Sequence, residues 1–325
     1  MKILLIIDVQ NDFLPGGALA VDNGDKIIPI INELMPHYDH VVATQDYHPE
    51  NHGSFASNHP GKNVGDFIKL NSLEQILWPT HCVEGTEGAE FSNKLNTQRI
   101  DCIFRKGTNP DVDSYSGFYD NGRLQNTGLT KYLRELGTNE LHIVGLATDY
   151  CVKFTALDAL TDGFKTSLIT DAVKGVNIQP NDCDLAIQEM EQAGVKMITS
   201  DDVLGDTITL YRPTGPEELA LVEQSGFKNW PPRLPEQPIF YPVMNQAYAE
   251  QIATEWNIPA SGCGYVTKFE VNREFLKPYE RKIVGGKMHE ELWIPAEEID
   301  ALNENIVGKI EVIKRLEPNL TDNEN

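Results

Sequence analysis

The chain is short of basic residues: 27 lysines and arginines stand against 49 aspartates and glutamates, a formal net charge of −22 over 325 residues. A balance this acidic repels phosphate backbones and anionic lipid headgroups, which argues against nucleic acid and membrane surfaces as partners. No apolar run reaches the ~18 residues of a membrane span. The apolar opening at residues 1–7 stops at Asp8 without the small-residue site at which a signal peptide is cut, so it reads as a core strand of a cytoplasmic protein. Cysteine is scarce too. Cys82, Cys102, Cys151, Cys183 and Cys263 are odd in number and lack CxxC spacing, which rules out a disulfide framework and a zinc ribbon. There is no internal repeat.

What is present is an ordinary folded composition, 40% apolar and 8% aromatic. At ~150 residues per domain the length indicates two domains, or one large domain with an appendage. Apolar, β-branched runs at 3–7, 40–43, 101–104, 141–144, 166–169 and 195–198 alternate with amphipathic stretches at 25–35, 129–136, 152–160 and 183–192. Runs with little alternation, separated by helical patterns, mark strands buried on both faces of a parallel sheet. The expected fold is therefore a doubly wound, three-layer α/β domain over residues 1–208. After it come a Pro-rich stretch at 230–238 and candidate strands at 265–271, 292–295 and 310–313. These predict a smaller α+β module over 211–317, followed by a flexible tail at 318–325.

Ligands of open α/β sheets bind beyond the carboxyl ends of the strands. The residues there are Asp8; then Asp46 and His48; then Arg105 and Lys106; then Ala147-Thr148-Asp149-Tyr150-Cys151. An Asp, a Lys and a Cys at one sheet mouth are the ingredients of a thiol-nucleophile site. Cys151 falls where a strand turns into a helix, where free N–H groups lower a thiol pKa and can receive an oxyanion. A structural cysteine in a first helical turn fits the same position, and both readings stand at this point. An aspartyl-phosphate nucleophile at Asp8 fails because Gln10 occupies the place of the second Asp. Lys106 considered alone reads as an ordinary ion-pair partner. Asp46-x-His48 with His52, and with His81 in Trp78-Pro79-Thr80-His81-Cys82, forms a candidate mixed O/N metal set. Solvated loop histidines are the alternative.

Taken together, residues 1–200 resemble the nicotinamidase/pyrazinamidase family of the isochorismatase-like cysteine hydrolases. The resemblance rests on Asp8-Val9-Gln10-Asn11-Asp12-Phe13, Asp46-Tyr47-His48-Pro49 with His52 and Ser54-Phe55-Ala56, Trp78-Pro79-Thr80-His81-Cys82-Val83, Lys106-Gly107 before Asp113-Ser114-Tyr115-Ser116, and Gly145-Leu146-Ala147-Thr148-Asp149-Tyr150-Cys151-Val152. It implies Cys151 as nucleophile, Asp8 as general base and Lys106 as the supporting cation. The backbone N–H groups of Ala147 and Cys151 become the oxyanion hole, with a cis peptide at Leu146–Ala147. Asp46, His48 and His81 become ligands of one divalent metal, with zinc preferred and iron or manganese as alternatives. His52 matches a position that is a ligand in some relatives only. Phe13, Trp78 and Tyr115 match a ring pocket. The implied reaction converts nicotinamide, and pyrazinamide, to the acid and ammonia through a thioester, in NAD salvage; a homo-oligomer is compatible with it. The competing readings are a metal-independent relative acting on another small amide or an enol ether, and a non-catalytic ligand-binding protein. Residues 211–317 resemble a short ADP-ribosylation-like module, which makes Arg212, Tyr265 and Glu291 a loose candidate site.

Overall fold

The structure, a computed structural model, describes residues 1–234, 236–286 and 288–318. From residue 319 the expected tail lies outside the described residues. The chain divides into two compact units, Met1–Leu204 and a second from Gly205 onward.

The first unit is built on β1 (Lys2–Ile7), β2 (His40–Asp46), a hairpin of β3 (Phe67–Leu70) and β4 (Leu73–Ile76), β5 (Cys102–Lys106), β6 (Glu140–Leu146), β7 (Lys165–Lys174) and β8 (Lys196–Ile198). Six of these form one sheet in the order β5-β2-β1-β6-β7-β8, with every pairing parallel. The six apolar runs of the sequence are those six strands. Ile3, Leu4, Leu5, Ile6 and Ile7 are all fully buried because alternate side chains face two different helical layers. Leu4 and Ile6 pack with Ile27, Ile28, Ile31 and Leu34 of α1 (Ile27–Leu34). Ile3, Leu5 and Ile7 pack with Leu129 and Leu133 of α2 (Leu129–Glu135), Ala156 and Ala159 of α3 (Lys153–Thr161) and Met190 of α4 (Asp182–Ala193). Pro29 sits in the first turn of α1, where its missing N–H costs no helical bond. A short α5 (Asp201–Leu204) ends the unit.

Strand order reverses between β1 and β6, which makes their carboxyl ends the switch point where such sheets open a crevice. Gly145, opposite Ile7, lies so close to β1 that a Cβ would stand 2.1 Å from the Ile7 carbonyl oxygen. With its φ of +116°, glycine is required there. Directly after it, the Leu146–Ala147 peptide is cis.

In the second unit, β9 (Thr207–Thr214) spans residues 208–211, where the sequence had suggested a junction. It is followed by α6 (Pro216–Gln224), β10 (Ile239–Phe240), α7 (Gln246–Ile252), β11 (Gly264–Asn272), the hairpin strands β12 (Arg281–Ile283) and β13 (Glu290–Leu292), β14 (Ile294–Pro295) and β15 (Ile306–Leu316). The central sheet is antiparallel, in the order β15-β11-β9. Its core gathers Leu210, Trp230, Phe240, Phe269 and Val271. This is the smaller α+β region expected.

Candidate active site

Four strand ends supply the site. Asp8 follows β1 with φ +49°, a left-handed conformation that Asp tolerates better than most residues. Asp46 ends β2, Lys106 ends β5, and the turn after β6 carries Cys151. All four are buried. The Lys106 ammonium lies 2.9 Å from Asp8 Oδ2 and 2.7 Å from Asp46 Oδ1. It also donates to the Ser114 carbonyl at 3.0 Å and to Cys151 Sγ at 3.4 Å. Thr44 donates its hydroxyl to Asp8 Oδ1 at 2.6 Å.

One ammonium therefore serves two buried carboxylates, and the excess negative charge must be met by a proton or a further cation. Burial raises the Asp8 carboxyl above its ordinary value, against the pull of Lys106. Burial also raises Asp46, but Lys106 and His48 outweigh it and hold that carboxyl well below the carboxylate range. The Cys151 thiol is pushed well above the usual cysteine range by burial, against Lys106. Burial thus works against the lowering anticipated from the helix end, and a neighbouring base is needed to draw the proton from the thiol.

Beside this cluster, Asp46, His48 and His81 offer ligand atoms within 4.8 Å of one another. His48 Nδ1 lies 2.8 Å from the Gly107 carbonyl and His81 Nδ1 2.8 Å from the Pro79 carbonyl. A carbonyl only accepts, so both rings carry a proton on Nδ1 and turn Nε2 toward Asp46 Oδ2, at 3.5 and 3.9 Å. Burial lowers the His48 imidazole, but Asp46 outweighs it and raises that group above its ordinary value, so His48 must give up its Nε2 proton to ligate a metal. Backbone acceptors that orient histidine ligands in this way are usual around metals. His81 is held down to about 4 by burial and by His48, so it stays neutral and able to ligate. The donor set fits a divalent cation, whose charge would also meet the carboxylate excess. His52 differs: the Ser54 N–H donates to its Nδ1 at 3.2 Å, which places the ring proton on Nε2. His52 also belongs with His48 and Asp113 in a second group of close ligand atoms.

The pocket above these groups is lined by Phe13, Trp78, Asp113, Tyr115, Ala147 and Tyr150, with Asp46, His81 and Cys151. Trp78 and Tyr150 meet edge to face at 4.9 Å. The ring-pocket residues named from sequence are all here. Sequence reasoning missed Thr44, Tyr150, Gln10 and Gln75. Gln10 is fully buried and clamps both backbone groups of Asp46, donating to its carbonyl and accepting from its N–H at 2.8 Å. Gln75, on β4, donates to Asp113 Oδ2 at 2.9 Å and to the Tyr115 hydroxyl at 3.3 Å. A polar residue inside an apolar run, as Thr44 and Gln45 are in β2, was the one available signal.

The three candidates in the second unit have separate engagements. Arg212 pairs with Glu218 at 2.9 Å and stacks over Phe240. Tyr265 meets Cys263 and Arg315. Glu291 accepts from Trp293 at 2.6 Å and from Tyr248 at 3.4 Å. None of these contacts joins the three to one another.

Residues 2–202 match the isochorismatase domain. The nicotinamidase of Escherichia coli is 49% identical over 205 residues, covering 62% of this chain and 96% of that protein. A yeast nicotinamidase bound to the inhibitor nicotinaldehyde superposes with a TM-score of 0.59 at 33% identity, covering 61% of this chain and all of that one. The pyrazinamidase of Pyrococcus horikoshii in complex with zinc gives a TM-score of 0.50 at 42% identity, covering 61% and 98%. Domain match, relatives and site geometry converge: the chain belongs to the isochorismatase family, on its nicotinamidase branch, and is a hydrolase acting on amides.

Proposed function

We propose that the first unit hydrolyses nicotinamide, and also pyrazinamide, to the acid and ammonia, in NAD salvage. The observation that carries this is the meeting of Asp8, Lys106 and Cys151 at the switch point, with Lys106 Nζ within 3.4 Å of the thiol sulfur and 2.9 Å of Asp8. The relatives named above supply the substrate.

An amide is a weak electrophile, so the attacking sulfur must be a thiolate. Asp8 takes the Cys151 proton as the sulfur attacks the carboxamide carbon, and Lys106 stabilises the anion beside it. The N–H groups of Ala147 and Cys151 receive the oxyanion. Asp8 then returns its proton to the departing nitrogen, ammonia leaves, and a thioester remains. Water attacks that thioester while Asp8 takes its proton, and the acid is released with the thiol restored. A raised Asp8 carboxyl suits a group that must both accept and donate at neutral pH. Trp78, Tyr115 and Phe13 hold the ring. Asp46, His48 and His81 would hold one divalent metal, zinc in preference to iron or manganese, which when bound supplies a Lewis acid for orienting and polarising the ring. The second unit has no assigned part in this chemistry.

Ammonia release from nicotinamide and pyrazinamide tests the reading. Cys151→Ala is expected to abolish release with an unchanged unfolding transition, and full activity in that variant overturns the mechanism. Dialysis against a chelator is expected to remove about one metal per chain and the activity together; retained activity would instead favour a metal-independent relative.

A further inference from the structure

The geometry points to Thr44 as a positioning residue for the reaction, with Gly117 as the residue that keeps it in place; this inference rests on Asp8 being the general base. A carboxylate has two oxygens and a rotatable axis, and a base transfers a proton efficiently only when one oxygen stays aimed at the donor. Oδ2 of Asp8 faces Lys106 at 2.9 Å. Oδ1 takes the Thr44 hydroxyl at 2.6 Å, and both residues are fully buried, so water does not compete for that bond. Thr44 thereby fixes the rotation of the carboxyl about its own axis. Thr44 is not among the residues that line the pocket and its hydroxyl donates to Asp8, so its effect reaches the chemistry through Asp8.

The Thr44 methyl group rests against Gly117, so anything added at 117 presses on it and turns the hydroxyl. A Cβ at Gly117 would lie 2.6 Å from Thr44 Cγ2, so the absence of a side chain there makes the space in which that methyl rests. The Gly117 backbone has little freedom to retreat. Its N–H donates to Thr155 Oγ1 of α3 at 2.9 Å, and its carbonyl accepts from Thr127 Oγ1 at 2.7 Å. An added methyl at 117 must therefore turn Thr44, and with it the bond to Asp8.

Steady-state kinetics on nicotinamide with the full chain test this, with metal content measured in each variant. Thr44→Val keeps the shape and removes the donor; it is expected to lower kcat about tenfold, a fraction of what a general base contributes, with KM within about twofold. Thr44→Ser keeps the donor and is expected to stay within about threefold of the parent kcat. Gly117→Ala is expected to reproduce the Thr44→Val loss. The Thr44→Val/Gly117→Ala double variant should fall no further than the worse single one, because both break the same bond. Kinetics of Thr44→Val within about twofold of the parent, a Thr44→Ser variant equally impaired, multiplied losses in the double variant, or metal loss in step with kcat would each overturn the inference. If Thr44→Val does not fold, Thr44→Ser and Gly117→Ala carry the comparison. Asp8→Asn separates the two levels: an active Asp8→Asn removes the base and this inference with it, whereas an inactive one beside a fully active Thr44→Val removes the inference alone.

Discussion

Lys106 holds the largest share of the site's electrostatics, and its contacts set what a substitution there should do. Its ammonium lies between Asp8, which has no exposed surface, and Asp46, which is buried at the pocket floor. Removing it leaves two like charges uncompensated, which in buried pairs typically costs about 3–5 kcal/mol. Lys106→Met is expected to lose activity and also to shift the urea midpoint by a corresponding amount. A second residue-scale prediction concerns pH. Burial holds the His142 imidazole below its ordinary value, partly offset by Glu140. The unfolded chain, at the ordinary value of about 6.5, takes up a proton at a pH where the folded chain does not. Between those two values the unfolded state binds more protons, so stability falls as pH drops below about 6.5. His142→Gln should lose less stability than the parent between about pH 7.5 and about pH 5.5, as read from urea midpoints.

Among the elements, β1 is the one on which both helical layers rest. Leu5 is fully buried within the layer that also holds Ile143, Val152 and Ala156, so Leu5→Ala should cost about 2–5 kcal/mol in the same assay. The hairpin β3–β4 serves the pocket instead. Gln75→Leu removes one donor from Asp113, which keeps the Ser114 N–H, and one from the Tyr115 hydroxyl, which keeps the Trp78 indole N–H, and is expected to raise KM more than it lowers kcat. The two elements also differ in how readable they are. The six sheet strands are legible in the sequence because burial on both faces makes each an unbroken apolar run. The hairpin is not: Phe67–Leu70 alternates exposed and half-buried residues over four positions, too short for periodicity to register. For the same reason β15 extends to Ile306–Leu316 while only its buried centre around Ile310 was evident. Asp8, Asp46, Lys106 and Cys151 were legible because strand ends locate chemistry. Thr44, Gln10 and Gln75 were not, since a buried polar residue acquires meaning only from the partner that folding brings to it.

At the scale of the whole molecule, the first unit holds every residue of the proposed reaction and matches its relatives over nearly their full length. Residues 1–204 expressed alone should therefore keep kcat/KM within about threefold of the full chain; a larger loss would assign the second unit a catalytic part. Within the first unit, the order β5-β2-β1-β6-β7-β8 hangs the proposed base Asp8 and the proposed nucleophile Cys151 from the two central strands, whose amides lie deepest in the sheet. Segments of that kind exchange their amide hydrogens only in the last cooperative opening, while edges such as β5 and β8 open earlier. Amides of Leu4, Leu5 and Ile6 should then be the slowest to exchange. Because Lys106 ends the edge strand β5, heating should cost activity before the whole unit melts, with the inactivation curve at lower temperature than the unfolding curve.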